Sequence, residues 1–381
     1  MLGQQKVAGR RGRRRNGAVS AALALGLAVL ALPGASADTG TVERRVHRPH
    51  IVTPRATGAP AGLTPAQVKA AYGFPTVPGA GAGRTVALVA PFDAPTVEKD
   101  LNTFSARFGL PACTAANRCF RKVDQKGGKA YPAKNKLWAL EISLDVEWAH
   151  AIAPGAKILL VEARSDRLSD VVAAEDYATA HAGYVSNSLG VDEFAGESAY
   201  DAHFARAGVS VFAASGDDGS VPGAGYPAAS PAVIAVGGTT LTDIGRPTFA
   251  EAGWRGSGGG CSPYEAANPA QLAYPGYAAV NCAGRRAAPD VSLVADPGSG
   301  VAVYDSYRTA QHWTVLGGTS AATPMWAARA AVSGRVIDAG ALYSAPSPIT
   351  FRDITAGSNG LPAGPGYDLV TGLGSWTGAT P

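Results

Sequence analysis

Short apolar segments alternate with longer stretches of helical periodicity along most of this chain. The segments 209–214 and 232–236 are apolar at nearly every position, which is typical of strands covered by helices on both faces. The pattern predicts strands at 85–92, 157–163, 184–189, 209–215 and 232–239, and helices at 96–108, 137–152, 168–181 and 200–207. It therefore predicts a single α/β domain with a mainly parallel central sheet flanked by helices.

The helix predicted over 137–152 carries an unusual pair of acids. Glu141 and Asp145 lie one turn apart on its apolar side. Carboxyl groups on such a face need a partner or a function, and both burial and like charge raise their pKa values. The pair is a candidate for acid–base chemistry, with a structural role as the alternative. The opposite stripe, which we expect to face solvent, carries Ser143, Glu147 and His150.

Two further candidate catalytic residues lie at the ends of predicted secondary-structure elements. Asp217 directly follows the predicted strand 209–215, and ligand and catalytic groups gather at the carboxyl ends of parallel strands. An ordinary turn, to which we assign Asp218, is the alternative. Ser320 opens a predicted helix after a glycine turn, where unpaired N–H groups could receive an oxyanion. We place Pro324 in the first turn of that helix, where proline is tolerated. A simple helix cap is the alternative for the serine.

The N-terminus predicts export. Residues 1–37 combine a basic region, an apolar run and a small-residue cleavage site, and so predict a signal peptide. Residues 38–62 are polar and proline-bearing, which predicts an exposed linker or short pro-segment, and residues 63–381 form the folded domain. We expect a secreted, extracellular monomer without a membrane anchor after signal cleavage.

Composition narrows the function classes. The 381 residues are 46% hydrophobic and 16% charged, with a net charge of +4 that is concentrated in the predicted signal peptide. This distribution argues against a nucleic-acid-binding protein. Four cysteines in an exported chain favour disulfides. The simplest pairing joins Cys113 to Cys119 and Cys261 to Cys282.

Taken together, these segments resemble the sedolisins, the serine-carboxyl peptidases with a subtilisin-like fold. The resemblance extends from about residue 63 to residue 376. Its most specific motifs are Glu141-Ile-Ser-Leu-Asp145-Val-Glu, Ser215-Gly-Asp217-x-Gly219 and Gly317-Gly-Thr-Ser320-x-x-x-Pro324. Sedolisins usually carry a long N-terminal prodomain, whereas this chain has only residues 38–62 between the predicted signal and the domain.

The resemblance implies a role for each catalytic candidate. Ser320 would be the nucleophile, Glu141 its general base, and Asp145 the residue that holds Glu141 in place. Asp217 would stay protonated and donate a hydrogen bond to the oxyanion, because only a protonated carboxyl can donate. The implied function is a serine endopeptidase that cleaves polypeptides at acidic pH.

The resemblance also implies binding residues. Contacts with an extended substrate would come from Ser188, Leu189, Gly190, Ser257 and Gly258. One structural Ca²⁺ would bind carboxylate and backbone oxygens from Asp353, Ile354, Gly364, Gly366 and Asp368.

Three alternatives remain at this stage. A Ser-His-Asp subtilisin is disfavoured because no histidine in the chain is followed by Gly, Ser or Thr. A non-catalytic secreted binding protein on a peptidase scaffold would have no need of all four catalytic candidates. An exo-acting tripeptidyl peptidase would need an insertion that closes one end of the cleft.

Overall fold

A ten-stranded, mainly parallel sheet lies at the centre of the fold. In a computed structural model of the chain, the described residues are 43–47, 56–57, 59–245, 249–344 and 349–378. The predicted signal peptide, 1–37, lies outside these ranges. Among the described residues, no helix combines the length and apolar character needed to cross a bilayer.

The helices and strands within the described residues alternate along the chain. The α-helices are α1 Pro65–Tyr72, α2 Val97–Phe108, α3 Lys136–Ile152, α4 Leu168–His181, α5 Asp201–Phe204, α6 Pro269–Ala273, α7 Thr319–Ser333 and α8 Ala339–Tyr343. The strands are β1 Ala56–Thr57, β2 Thr85–Pro91, β3 Phe120–Asp124, β4 Lys157–Ala163, β5 Tyr184–Asn187, β6 Ser210–Ala214, β7 Ile234–Thr242, β8 Ala250–Gly253, β9 Gly260–Ala266, β10 Arg285–Ala288, β11 Val291–Val294, β12 Val301–Tyr304, β13 Trp313–Leu316, β14 Phe351–Arg352 and β15 Ser375–Trp376.

The central sheet confirms the predicted α/β architecture. Its strand order is β14-β15-β11-β7-β6-β5-β2-β4-β3, with β8 paired to β7. The pairs from β11 through β7, β6, β5, β2 and β4 to β3 are parallel, whereas β8 and β14 run antiparallel to their neighbours. The five predicted strands correspond to β2, β4, β5, β6 and β7. The helix predicted over 200–207 is only the short α5, preceded by a 3₁₀ turn at Glu197–Tyr200.

Helix α3 departs from the prediction because it is buried on all sides from Glu141 to Ile152. Asn135 caps its start by accepting hydrogen bonds from two backbone N–H groups. The stripe expected to face solvent is wrong, since Ser143, Glu147 and His150 are all buried. Helix α2 and the small antiparallel sheet β1-β13-β12 cover that side. Glu147 accepts a hydrogen bond from the backbone N–H of Tyr304 in β12 at 3.0 Å, and periodicity within one helix cannot reveal such a covering layer.

Residues 43–47, which belong to the predicted linker or short pro-segment, contact the domain. Val46 is only 2% exposed and packs into the core, whereas the other four residues are exposed. Further along, β1 pairs antiparallel with β13. Backbone hydrogen bonding, which a polar and proline-bearing composition does not reveal, attaches these residues to the domain.

Two disulfides fasten loops at the surface of the domain. Cys113 is bonded to Cys119, and Cys261 is bonded to Cys282. The sequence-local pairing is therefore confirmed.

Candidate active site

Four elements converge on the candidate active site. Helices α3 and α7 pack directly against each other, and α7 also packs under β5 and β6. In the sheet, Asn187 of β5 lies opposite Ala213 of β6. The loops that begin at Ser188 and Ser215 therefore leave the same edge of the sheet, which is where the parallel-strand rule places functional groups.

A hydrogen-bond chain joins α3 to the candidate nucleophile. The hydroxyl of Ser188 lies 2.6 Å from Asp145 Oδ1 and 3.3 Å from the backbone oxygen of Ser320. All three residues are buried. The hydroxyl of Ser188 has a single proton, which it donates either to Asp145 Oδ1 or, when a protonated Asp145 donates to Ser188, to the backbone oxygen of Ser320. In either case Ser188 joins Asp145 to the start of α7.

Pro324 explains why the oxygen of Ser320 is available for this contact. The sequence placed Pro324 in the first helical turn, but α7 begins at Thr319 and the proline lies inside the helix. In an α-helix the N–H of residue i+4 would bond the carbonyl of Ser320, and proline has no N–H. The position of Pro324 thus removes the helical donor and leaves the carbonyl to the Ser188 hydroxyl.

The side-chain hydroxyl of Ser320 is not engaged in a hydrogen bond within the described residues. The Oγ of this residue is nevertheless buried. Its backbone N–H lies in the first turn of α7, where helix N–H groups have no acceptor within the helix. A buried, unpartnered hydroxyl beside unpaired N–H groups suits a nucleophile next to an oxyanion site.

The two carboxyl groups of α3 form a coupled buried pair. Glu141 is completely buried, and Asp145 follows it by one turn. Burial, followed by the charge of Glu141, raises the pKa of Asp145 well above its usual value, while the Ser188 hydrogen bond lowers it. The two carboxyl groups therefore titrate as a coupled pair, in which burial and like charge disfavour ionising both members.

Asp217 is fixed by the residue that precedes Ser320. Its Oδ1 accepts hydrogen bonds from the backbone N–H of Thr319 at 2.7 Å and from the Thr319 hydroxyl at 2.9 Å. Gly318 permits this approach, because a Cβ there would lie 2.6 Å from Asp217 Oδ2 and the backbone has a φ of +107°. The carboxyl of Asp217 is thereby held next to the helix start that carries Ser320.

The predicted substrate-binding residues divide into two groups. The backbone of Gly190 is engaged in antiparallel pairing with His47, and Gly258 N donates to Gly216 O, beside Asp217. Ser257 behaves differently: its Oγ is buried, donates to Val370 O and accepts from Gly238 N. The Ser257 side chain is therefore engaged within the domain, and a contact between Ser257 and substrate stays a prediction for its backbone.

The predicted calcium residues surround one turn. Asp353 Oδ2 accepts from the N–H of Gly366 at 2.9 Å, and Asp368 Oδ2 accepts from the N–H of Gly364 at 3.0 Å. Both carboxylates therefore converge on the same short segment, and Ile354 is adjacent to Asp353 in the chain. Carboxylate and backbone oxygens are the donors that Ca²⁺ prefers, so the residues present fit that ion.

One other cluster within the described residues has the residue types and distances of a metal site. Among the described residues, the only group of three or more His, Cys, Asp or Glu side chains within common reach is Cys113, Cys119 and His150. Its two cysteines are joined in a disulfide, and His150 Nε2 lies 2.9 Å from Pro111 O.

Sequence reasoning missed two residues of this site. Thr319 supplies two hydrogen bonds to Asp217, and the side chain of Ser188, predicted only as part of a substrate-pairing strip, contacts Asp145 instead. The only sequence signal for Thr319 was its place beside Ser320 in the motif. The role of the Ser188 side chain depends on the packing of β5 against α3 and α7, which no local pattern reveals.

Comparison with known proteins identifies the family. The model of the Subtilase family matches residues 132–342. Kumamolisin of Bacillus sp. (strain MN-32) is 33% identical over 389 residues, which cover 88% of this chain and 68% of kumamolisin. Sedolisin of Pseudomonas sp. (strain 101) is 35% identical over 182 residues, which cover 42% of this chain and 30% of sedolisin.

A solved structure agrees with these sequence relatives. Pseudomonas sedolisin, a serine-carboxyl proteinase complexed with two molecules of pseudo-iodotyrostatin, has a TM-score of 0.68 at 26% identity, covering 84% of this chain and 96% of that one. Fold and family match together define a serine-type peptidase with a subtilisin-like fold. Within that class, the chain belongs to the sedolisins, the serine-carboxyl peptidases. The resemblance found in the sequence is confirmed.

Proposed function

We propose that this chain is a secreted endopeptidase that hydrolyses polypeptides at acidic pH through Ser320, Glu141, Asp145 and Asp217. The observation that carries the proposal is the hydrogen-bond chain from Asp145 through Ser188 to Ser320, whose buried hydroxyl has no partner among the described residues. Secretion is supported by the predicted signal peptide at 1–37 and by two disulfides, which persist in oxidising compartments.

In the proposed reaction, the oxygen of Ser320 attacks the carbonyl carbon of the scissile bond while Glu141 accepts the hydroxyl proton. The C–N bond of the tetrahedral intermediate then breaks, and Glu141 returns the proton to the leaving amine. Water hydrolyses the resulting acyl-enzyme by the same sequence of steps. Asp145 would keep Glu141 positioned, and the two carboxyl groups would share one negative charge and one proton.

Asp217 would stabilise the oxyanion of the intermediate. Both Thr319 donors bind its Oδ1, so a proton carried on Oδ2 can be donated while Oδ1 still accepts. Only the protonated acid can donate to an oxyanion. Activity should therefore be confined to the pH range in which Asp217 is protonated, which supports an acidic optimum.

The calcium ion would be structural. Asp353 and Asp368 would supply carboxylate oxygens, and Ile354, Gly364 and Gly366 would supply backbone oxygens. The predicted loop lies outside residues 132–342, the part matched by the Subtilase family. A bound ion would supply charge that holds the loop together rather than take part in peptide hydrolysis.

The test is hydrolysis of denatured haemoglobin from pH 2 to 9 by the wild type, Ser320→Ala and Glu141→Gln. We expect an acidic optimum that both substitutions abolish. Glu147→Gln is the matched control, because Glu147 is another buried glutamate of α3 but bonds Tyr304 instead of facing the site. Burial raises the pKa of Glu147, so glutamine closely imitates its protonated form. Maximal activity near pH 8, or full activity in Glu141→Gln, would refute the mechanism.

A further inference from the structure

Residues 43–47 lie as an extended segment between two walls, formed by residues 166–168 and by Gly190, which lines a cavity together with Asp217. On one side, Val46 N donates to Asp166 O at 2.7 Å and Leu168 N donates to Arg44 O at 2.8 Å. On the other side, the backbone of His47 exchanges two hydrogen bonds with Gly190, at 2.7 and 3.0 Å. The segment thus completes a three-stranded antiparallel arrangement, the way in which an extended peptide binds by strand addition.

The inward side chains of this strand enter an apolar surface. Val46 is almost completely buried within the core. Arg44, two residues earlier and therefore on the same face of the strand, places its guanidinium 4.5 Å from the ring centre of Phe194. The groove offers a closed apolar site for one side chain and an aromatic platform for another.

The outward side chains face acids. Arg45 pairs with Asp166 at 2.5 Å, and His47 Nε2 lies 3.8 Å from Asp192 Oδ1. Because successive side chains of a strand alternate, one acid lies beside each of the two outward positions. The walls therefore carry negative charge where the occupying segment carries basic side chains.

The strand also points toward the catalytic residues. His47, Gly190 and Asp192 line the same small cavity as Asp217. Gly190 follows Ser188, which contacts both Asp145 and Ser320. The segment consequently enters the site with its C-terminal end nearest Asp217, and the antiparallel pairing of His47 with Gly190 places the position opposite Ser188 two residues beyond that of His47.

We propose that this groove selects extended polypeptides with the pattern basic-aliphatic-basic upstream of the scissile bond, and that residues 45–47 of the chain are its built-in example. Asp166 and Asp192 are the specificity determinants for the outer positions, and the site of Val46 is the determinant for the middle one. The proposal rests on the proposed function and names the substrate class of that same site.

The three positions of the groove should contribute unequally to the preference in kcat/KM. Burying a valine-sized side chain contributes enough for about a tenfold preference over serine. Exposed ion pairs contribute less, about twofold to fivefold each, and are screened by salt. The middle position is therefore expected to dominate, with the acids adding a salt-sensitive preference for basic neighbours.

The first experiment measures groove occupancy without catalysis. Hydrogen exchange in the full chain carrying Ser320→Ala reports the amides of Val46 and His47, which are bonded to Asp166 and Gly190. We expect protection, reduced about tenfold or more by Val46→Asp and partly by Asp166→Lys. Asp176→Lys is the control, since Asp176 is exposed on α4 and pairs with His203. Exchange at the rate of an unprotected chain in the Ser320→Ala parent would overturn the proposal.

The second experiment measures specificity in the full chain carrying Val46→Asp, which loosens the chain's own segment from the groove, with quenched peptides that differ only in the residues at the three groove positions. We expect kcat/KM to be about tenfold or more higher for Arg-Val-His than for Arg-Ser-His, and higher for Arg-Val-His than for Glu-Val-His. In Asp166→Lys the Arg-over-Glu preference should reverse. Equal kcat/KM for all three peptides would overturn the proposal.

The two experiments separate this proposal from the proposed function. If denatured haemoglobin is cleaved but the peptides are not distinguished, only the substrate pattern fails. If nothing is cleaved at any pH, the proposed function fails, whereas the exchange experiment still decides whether the groove binds the 43–47 strand.

Discussion

Ser188→Ala tests the hydrogen-bond chain on which the proposed mechanism depends. The substitution removes the hydroxyl that lies 2.6 Å from Asp145 Oδ1 and 3.3 Å from the oxygen of Ser320. A buried hydrogen bond to a charged group contributes roughly 1.5–3 kcal/mol. If that energy acts mainly in the transition state, kcat should fall about 10- to 100-fold. KM should change little, because the side chain is buried away from substrate.

The pH profile gives a second, independent readout of the same change. The Ser188 hydrogen bond lowers the pKa of Asp145, against the larger effects of burial and of Glu141. Without it, the anionic form of the carboxyl pair loses a donor and the apparent pKa of the pair rises. The acidic limb of the kcat profile should therefore move to higher pH. A purely structural role for Ser188 would lower the amount of folded protein without moving that limb.

The assay is steady-state peptide hydrolysis from pH 2 to 7, with folded protein quantified by active-site titration. Ser186→Ala is the matched control, because Ser186 is a buried serine of β5 whose hydroxyl has no hydrogen-bond partner among the described residues. The control should retain kcat and the position of the acidic limb. Unchanged kcat and an unmoved limb in Ser188→Ala would refute the reasoning.

Three further predictions concern neighbouring features. Gly318→Ala should lower kcat and Tm, because the added Cβ would lie 2.6 Å from Asp217 Oδ2 at a backbone φ of +107°. Such strain costs about 1–3 kcal/mol. Steady-state kinetics measure kcat, and thermal melting measures Tm. Burial raises the pKa of Glu175 to about 8. Its contribution to stability is therefore fully present below the unfolded pKa and is lost as pH rises through the folded pKa, by on the order of 5 kcal/mol. The free energy of unfolding, measured with denaturant at pH 4 and pH 8, should differ less between the two pH values in Glu175→Gln than in the wild type. Calcium at 100 times its Kd should add about 2.7 kcal/mol to the free energy of unfolding, and Asp368→Asn should weaken that response in a calcium titration of Tm.

Much of the fold could be predicted because the central strands are apolar on both faces. Strand β2, for example, is buried at all but its first position, a pattern that few other environments explain. The covering of α3 could not be predicted in the same way. Its solvent-facing assignment failed at Glu147, because the strand that covers this residue, β12, lies more than 150 positions away in sequence.

The sequence displays the motif residues of the candidate site, whose catalytic roles stay predictions, but it does not display how these residues are connected. Glu141, Asp145, Asp217 and Ser320 carry motif signals that the sequence displays directly. The use of residues 43–47 as a strand in the groove was not predictable, because the pairing of His47 with Gly190 forms only in the folded chain. A polar, proline-bearing composition indicates that the segment is hydrophilic. It does not show with which backbone groups the segment forms hydrogen bonds.

The spacing of the motif around Ser320 now has a physical reason at each position. Gly318 admits the carboxyl of Asp217, and Thr319 binds that carboxyl through its N–H and its hydroxyl. Pro324 stands four residues after Ser320, the one spacing at which a missing N–H releases the oxygen of Ser320 from the helix. The hydroxyl of Ser188 lies near that oxygen and joins it to Asp145. One short segment therefore contacts both Asp217, the proposed oxyanion donor, and the Ser188 hydroxyl that reaches Asp145 of the proposed carboxyl pair.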